Sequence, residues 1–187
     1  MTDLATLELG TSTVVLRRAE AGDIPAIVAL LAADQLGATR DGVYTAADLA
    51  AYQQAFRAID ADPAHLLVVA QAGPLAQAGS LAQAGSLAQA GPHTQDGPQL
   101  VATLQLSFIP GLARRGALRA QIEAVRVHES YRGRGLGAAM MAWAIAEARR
   151  HGCGLVQLTS DKARPDAHRF YTQLGFVASH EGMKLRL

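Results

Sequence analysis

The chain has 187 residues, of which 50% are hydrophobic and 18% are charged, and its formal net charge is +1. This length predicts one domain over residues 1–187, and the near-neutral charge excludes broad attraction to nucleic acid or to anionic membranes. No apolar run approaches the roughly 20 residues of a membrane span. The first ten residues lack the basic and then apolar pattern of a secretory signal. These properties predict a cytoplasmic protein.

The N-terminal part of the chain predicts a strand followed by two amphipathic helices. Residues 13–18 are predicted as a strand, after which Asp23 is expected to cap a helix that tolerates Pro25 in its first turn. Thr45 and Asp48 have the spacing of a capping box for the second helix. Both helices have apolar residues at helical spacing, namely Ile24, Ile27, Val28 and Leu31 in the first and Leu49, Tyr52, Phe56 and Ile59 in the second.

Two predicted strands, residues 65–70 and 99–109, flank a low-complexity segment over residues 73–98. Within it the sequence LAQAG occurs three times with a period of six. Hexapeptide repeats also build β-helices, but each coil needs neighbours to bury its face, and three units make only about one coil. The glycine-rich, uncharged composition instead predicts a surface insertion in a hairpin, without catalytic duties.

The rest of the chain alternates strands and helices. Strands are predicted at residues 120–127, 155–159 and 176–187, and helices at residues 136–150 and 165–174. Hairpin-linked strands followed by βα units are typical of a mixed α/β fold.

Three glycines at alternate positions lie between the strand that ends at residue 127 and the helix that begins at residue 136. They let the backbone turn tightly and let a ligand approach its N–H groups, and the first turn of a helix binds phosphate. Flanking arginines add positive charge. The pattern predicts an anion site formed by Arg132, Gly133, Arg134, Gly135, Leu136, Gly137 and Ala138.

This turn and one later motif resemble the GNAT family of N-acetyltransferases. The family motif Arg/Gln-x-x-Gly-x-Gly/Ala is matched by Arg132, Gly135 and Gly137, and the later motif is DAHRFYTQLGF over residues 166–176. The resemblance covers residues 13–187 apart from the repeats. It implies the GNAT fold, which is a mixed, mostly antiparallel sheet flanked by helices.

The resemblance also implies a reaction. Acetyl-CoA is the expected cosubstrate, and the acceptor is a primary amine of an unidentified small molecule or peptide that attacks directly in a ternary complex. In the family the pyrophosphate lies on the glycine turn and the pantetheine arm runs along the fourth strand, which here implies contacts with Val125, Arg126 and Val127. Many members are dimers, so a homodimer is compatible with the resemblance.

Glu123 is the candidate general base. Regular alternation along the strand predicts that Glu123, Val125 and Val127 share one face. A charge in an otherwise apolar strand costs free energy unless it faces water, a partner or a site. An amine must lose a proton to attack a thioester, so Glu123 is expected to assist directly or through a water. The alternative is a surface glutamate.

Tyr171 is the candidate general acid. It shares a helical face with Ala167, Phe170 and Leu174, which is also typical of a core aromatic. In the resembled family the matching tyrosine protonates the departing thiolate, and a backbone N–H near Val127 polarises the thioester carbonyl. One departure is Arg164, which stands where many members have an asparagine that contacts pantetheine. Ser160 and Asp161 are alternatives for that contact.

The sequence leaves two alternative functions. Gly133, Gly135 and Ala138 satisfy the G-x-G-x-x-A pattern of dinucleotide-binding oxidoreductases, and Asp161 follows. However, HESYR separates this pattern from its strand, and too few βα units remain for that fold. The other alternative, a non-catalytic acetyl-CoA sensor, has no support because Glu123 and Tyr171 are both present.

Structural interpretations are favoured for several remaining residues. Cys153, the only cysteine, is expected to be a small packing residue rather than a nucleophile. None of the six histidines has a metal-ligand spacing such as HExxH, so no metal site is predicted. Arg114 and Arg115 precede the fourth predicted strand, in a link that borders the acceptor site in the resembled family. They are expected to be solvated, with an acidic group of the acceptor as the alternative partner.

Overall fold

The computed structural model describes residues 3–10, 12–33, 37–38, 40–73 and 99–185. Within these ranges six strands form one sheet whose spatial order follows the chain. They are β1 (Asp3–Leu9), β2 (Ser12–Arg18), β3 (His65–Ala72), β4 (Gln99–Ile109), β5 (Arg119–Val127) and β6 (Leu155–Leu158).

The helices of the described residues flank this sheet. They are α1 (Ile24–Ala32), α2 (Ala46–Ala61), the single turn α3 (Ala113–Gly116), α4 (Leu136–Arg150) and α5 (Pro165–Gln173), with 3₁₀ turns at Ala21–Asp23 and Glu129–Tyr131. No helix in these ranges is long and apolar enough to cross a lipid bilayer.

The pairing of the strands is mixed and mostly antiparallel, as predicted. β1 to β5 pair antiparallel with their neighbours, and β6 pairs parallel with β5. Ala72 at the end of β3 lies opposite Gln99 at the start of β4. The residues between these two positions therefore join neighbouring strands, but the repeats at residues 74–98 lie outside the described residues.

Each face of the sheet is covered by helices. α4 packs on one face, where the core includes Leu104, Ile122, Leu136 and Met140. α1 and α2 pack on the other face, around a core that contains Ile24, Ile27, Val28, Phe56 and Val69. The predicted apolar stripes of both N-terminal helices thus face the sheet, because burying them removes apolar surface from water.

Asp23 occupies the N-cap position of α1, but its carboxylate does not cap that helix. It accepts hydrogen bonds from Arg17 Nη1 and Nη2 at 2.6 and 2.9 Å and from the Glu20 N–H at 2.7 Å. Burial alone would raise the pKa of Asp23, yet the bonds from Arg17 and Glu20 outweigh it and hold that pKa below its ordinary value. A buried Arg17 charge without a partner of opposite charge would cost more free energy than an uncapped helix end, so Asp23 pairs with Arg17.

The capping box of α2 is confirmed. The Asp48 N–H donates to the Thr45 hydroxyl at 3.2 Å, and the Asp48 carboxylate accepts from the Thr45 N–H at 2.8 Å. The Thr45 hydroxyl and the Tyr44 and Thr45 N–H groups together lower the pKa of Asp48. These bonds satisfy N–H groups that a helix start leaves without intrahelical partners.

Two sequence-based expectations at the ends of the chain need correction. β1 was not predicted, although it pairs with β2 along most of its length. The strand predicted at residues 176–187 is wrong for residues 176–185, which contain no strand. Val177, Met183 and Leu185 there are 81%, 93% and 88% exposed. Their pattern suits a strand, but no neighbouring described strand pairs with this segment, and a strand needs such a partner for its N–H and C=O groups.

Candidate active site

The glycine turn has the backbone conformation that its sequence predicts. Gly133 and Gly135 have φ values of +71° and +84°, which non-glycine residues adopt only with strain. A Cβ at either position would meet nothing within 4 Å. These glycines are therefore required by the turn rather than by packing, and the space above them is open.

The turn leads directly into the first turn of α4. Gly135 is the N-cap residue, and the first intrahelical bond runs from the Ala139 N–H to the Gly135 carbonyl at 3.0 Å. The N–H groups of Leu136, Gly137 and Ala138 precede that bond and are the ones a helix start offers to an anion. The Leu136 side chain is buried, so only its backbone is available to a ligand.

Two arginines flank this helix start and are positioned by the chain itself. Arg132 Nε donates to the Val127 carbonyl at 3.1 Å. The Arg134 guanidinium carbon lies 5.6 Å from the centre of the Tyr131 ring, within the range of a cation–π interaction. Both arginines are exposed, so their charges are accessible beside the glycine turn.

The end of β5 has one open edge. Pairing with β6 reaches only from Arg119 to Ile122 on β5. The His128 N–H donates to Val101 on β4, so alternation directs the backbone groups of Val127 away from β4. The Val125 and Val127 carbonyls accept from the side chains of Arg126 and Arg132 instead. This edge can pair with an extended ligand, as an added strand would.

A β-bulge in β5 corrects the predicted face of Glu123. Thr103 lies opposite Arg126 and Gln105 opposite Glu123, so two residues of β5 face one of β4. Ala124, one of these two, has a φ of +54°. The extra residue reverses the alternation, so Val125 and Val127 pack on the α4 side together with Ile122. Glu123 therefore does not share a face with the two valines.

Glu123 lies on the face covered by α1 and α2. Directly opposed residues of an antiparallel pair point to the same face, and Gln105, the partner of Glu123, lies with Ala124 against side chains of α1 and α2. Glu123 itself is exposed. Glu123 and Val125, the first residue of the open edge, are thus separated in the sequence only by the bulge residue Ala124.

Tyr171 lies on α5 in an aromatic cluster. Its ring makes edge-to-face contacts with Phe170 and Phe176, with centroids 5.2 and 5.9 Å apart. Burial raises the pKa of the Tyr171 phenol, and the charges of Arg126 and Arg164 offset part of that rise. The neutral phenol is therefore favoured, which a general acid requires.

Other predicted residues lie away from these groups or keep structural roles. Arg114 and Arg115 have left-handed backbone conformations, with φ of +55° and +60°, in the link before β5. This link is at the opposite end of β5 from Val127. Cys153 is half-buried against the core, and burial raises the pKa of its thiol, which disfavours a reactive thiolate. Asp161 accepts from the Ala163 N–H at 3.0 Å.

Comparison with known proteins identifies the family. The acetyltransferase (GNAT) family model matches residues 52–176, more than half of the chain. The chain belongs to this family. A solved structure named a transcriptional regulator from Bacillus halodurans C-125 superposes with a TM-score of 0.74 and is 39% identical, covering 93% of this chain and 99% of that one.

Two named N-acetyltransferases match parts of the chain. An aminoalkylphosphonate N-acetyltransferase of Salmonella typhimurium is 40% identical over 60 residues, which are 32% of this chain and 39% of that protein. A glucosamine 6-phosphate N-acetyltransferase of Trypanosoma brucei brucei is 38% identical over 90 residues, which are 48% of this chain and 58% of that protein. The matched segments thus span less than two thirds of either relative.

Membership of the GNAT family agrees with the sheet and excludes the dinucleotide-binding alternative. That fold requires an open, mostly parallel sheet, whereas β5 and β6 form the only parallel pair among the described strands. The G-x-G-x-x-A match of Gly133, Gly135 and Ala138 therefore does not reflect a shared fold.

Two residues around the site, Ala124 and Tyr131, were missed by sequence reasoning, and Phe170 was recognised only as part of the face that carries Tyr171. Ala124 forms the bulge, and Tyr131 is a buried aromatic beneath Arg134. The Phe170 ring packs close to Gly137, since a Cβ added to Gly137 would lie 3.5 Å from the Phe170 Cζ atom. Phe170 thus connects α5 to the start of α4. Tyr131 lies in the link between β5 and the glycine turn, where nothing in the sequence distinguishes a buried aromatic from an exposed one.

Proposed function

We propose that this chain transfers the acetyl group of acetyl-CoA to the primary amine of a small molecule or peptide, by direct attack in a ternary complex. Membership of the acetyltransferase family supports the acyl transfer. The names of the two relatives, both N-acetyltransferases, favour nitrogen as the acceptor atom. The observation that carries the proposal is the open edge of β5 running into the glycine turn and the start of α4.

The residues along this path fit acetyl-CoA. The N–H groups from Gly133 to Ala138 and the charges of Arg132 and Arg134 would bind its pyrophosphate. The backbone of residues 125–127 would pair with its pantetheine arm, after Arg126 and Arg132 release the carbonyls that they now bind. When bound, acetyl-CoA supplies an activated acetyl thioester.

The proton transfers are assigned to two side chains. Glu123 removes a proton from the attacking amine, directly or through a water. Tyr171 donates the phenol proton to the departing sulfur. The Val127 N–H, which faces the open edge, is positioned to donate a hydrogen bond to the reacting carbonyl. The bulge residue Ala124 separates the proposed base, Glu123, from the open edge that begins at Val125.

The proposal is tested first by binding. Acetyl-CoA should raise the melting temperature, because a ligand that binds only the folded state stabilises it, and NAD should not. A panel of amines, followed by thiol release, then tests turnover. Stabilisation by acetyl-CoA without acetylation of any amine would instead support a sensor that binds acetyl-CoA without catalysis.

The role of Glu123 is tested by Glu123→Gln in the same assay. The rate should fall near neutral pH, and the defect should shrink at higher pH or with a more weakly basic amine, since more of the acceptor is then already neutral. Glu129→Gln is a matched control, because Glu129 is also exposed but lies in the 3₁₀ turn after β5. Full activity of Glu123→Gln at every pH would assign the base to another group.

A further inference from the structure

A cavity of about 170 Å³ lies between α1, α2 and the sheet. Ile27 and Val28 line it from α1, Phe56 and Ile59 from α2, and Gln105 and Ala124 from the sheet. Ile59, Gln105 and Ala124 are only half-buried, so the cavity opens towards solvent. It is distinct from the glycine turn, which follows the C-terminal end of β5.

The position of this cavity relates it to the acceptor side of the reaction. Ala124 is the bulge residue, between Glu123 and the open edge that begins at Val125. Gln105 lies directly opposite Glu123. A molecule whose amine reaches Glu123 from the α1–α2 face therefore has this cavity beside it.

The lining of the cavity determines what it can hold. Among the described residues no charged side chain lines it, and its polar side-chain groups there are the Gln105 amide and the Tyr52 hydroxyl. Tyr52 already accepts a hydrogen bond from the Gly42 N–H at 3.2 Å. An ionised group here would lose its hydration without gaining a partner of opposite charge, which is costly. An uncharged apolar group would gain from burial.

We propose that this cavity binds the apolar group of the acceptor, so that the preferred substrates are amines carrying an uncharged phenyl-sized or branched alkyl group. The inference rests on the proposed N-acetyltransferase function. An apolar cavity of roughly 150 Å³ is large enough to bind benzene, which sets the size. The acceptors in the names of the two relatives carry phosphonate or phosphate, and such anions need cationic partners that this lining lacks.

The test compares 2-phenylethylamine with 2-aminoethylphosphonate as acceptors. The phenyl amine should have the higher kcat/KM by at least tenfold. Leu67→Phe, which adds bulk to a half-buried residue lining the cavity, should raise KM for 2-phenylethylamine at least tenfold and leave the rate with ethylamine nearly unchanged. A preference for the phosphonate, or an unaltered KM in this variant, would overturn the proposal.

The matched control is Leu100→Phe. Leu100 is also a half-buried leucine packed against the α1–α2 core, but it does not line the cavity. The KM of Leu100→Phe for 2-phenylethylamine should therefore match that of the wild type. If Leu67→Phe fails to fold, Ile59→Phe fills the cavity from α2 instead and should give the same KM increase.

A binding measurement separates this proposal from the proposed function. The probe is 2-phenylethanol, which lacks the amine and should raise the melting temperature of the wild type and of Leu100→Phe but not of Leu67→Phe. This pattern of stabilisation without acetylation of any amine supports binding of an apolar group in the cavity and contradicts the proposed N-acetyltransferase activity. Acetylation of amines without stabilisation by 2-phenylethanol supports the proposed N-acetyltransferase activity and contradicts binding of an apolar group in the cavity.

Discussion

Gly135 and Gly152 lie at opposite ends of α4. Substitutions at these two positions distinguish an effect on stability from an effect on acetyl-CoA binding. Both have positive φ, +84° and +72°, and a Cβ at either would meet nothing within 4 Å. Each change to Ala should therefore cost a similar strain of about 1–2 kcal/mol, or a few degrees of melting temperature. Only Gly135→Ala should also weaken acetyl-CoA binding, measured by calorimetry, because only that turn forms the proposed anion site. Equal affinities of the two variants for acetyl-CoA would show that the glycine turn is not part of the binding site.

Tyr171→Phe should lower turnover by roughly 100-fold, the size typical of general acid assistance, and leave acetyl-CoA affinity unchanged. The phenylalanine ring keeps the contacts with Phe170 and Phe176. Because burial raises the pKa of Tyr171, the phenol remains protonated past its ordinary pKa of about 10. Ionisation of the tyrosine should therefore reduce the wild-type rate only above that pH.

The pH profile also separates this role from simple packing. A thiol has a pKa of about 8.5, so above that pH the leaving thiolate needs less protonation and the difference between wild type and Tyr171→Phe should shrink. Tyr44→Phe is the control, since Tyr44 is 80% exposed, and it should follow the wild-type profile. A Tyr171→Phe defect of constant size from pH 7 to 10 would indicate a structural role.

At the scale of elements, the Arg17–Asp23 pair ties the start of α1 to β2. The two side chains are 7% and 13% exposed. Asp23→Asn leaves the Arg17 charge buried without its partner, which should cost about 3 kcal/mol at neutral pH, measured by urea unfolding. Asp166→Asn should have little effect, because Asp166 also pairs with an arginine but its side chain is 88% exposed.

The pH dependence of this pair follows from the lowered pKa of Asp23. Its ionised form stabilises the folded state fully above the unfolded pKa of about 3.9. This contribution is lost as the pH falls through the lower folded value. The stability difference between wild type and Asp23→Asn should therefore persist at pH 5 and shrink below pH 4. A difference that is the same at pH 7 and pH 3 would show that the ion pair is not its cause.

The bulge in β5 depends on a residue that tolerates a left-handed backbone. Ala124→Gly should keep the fold and acetyl-CoA binding, because glycine adopts the φ of +54° freely. Ala124→Val places a β-branched side chain in that conformation and should lose about 1 kcal/mol or more of stability together with acetyl-CoA affinity. The readouts are thermal unfolding and cofactor titration, and a valine variant that binds normally would show that the bulge is dispensable.

The local elements were predictable because their signals are local. The capping box of α2 and the glycine turn before α4 are each encoded within a few residues. The bulge also left a signal that was not used. The apolar residues Ala120 and Ile122 are two apart, but the next pair, Val125 and Val127, begins three residues later. That slip in the period of two marks the extra residue.

Other features depend on neighbours that a single segment does not reveal. The Phe176 segment has strand-like alternation, but whether it forms a strand depends on a free sheet edge beside it. The position of Tyr171 depends on how α5 packs against the start of α4. The catalytic pair was therefore named from residue types and resemblance, and the roles of Glu123 and Tyr171 stay predictions.

For the whole molecule, the repeat segment is predicted to be dispensable. Ala72 and Gln99 are directly paired, so their Cα atoms are about 5 Å apart, a gap that a short turn spans. Replacing residues 74–98 with a short glycine-containing turn should leave the melting temperature and acetyl-CoA affinity nearly unchanged, since closure entropy varies slowly with loop length. Loss of acetyl transfer with normal cofactor binding would instead assign the segment to the acceptor site.

The extra residue in β5 has a consequence for how the family can diversify. Ile122 before the bulge and Val125 and Val127 after it face the α4 layer, whereas Glu123 faces α1 and α2, so a substitution at one of these positions alters one layer and leaves the other unchanged. On the proposed roles, amine selectivity and nucleotide affinity can then change under separate selection, although the residues concerned lie within nine consecutive positions. A chimaera that takes α1 and α2 from a relative is therefore expected to accept a different amine while retaining its affinity for acetyl-CoA.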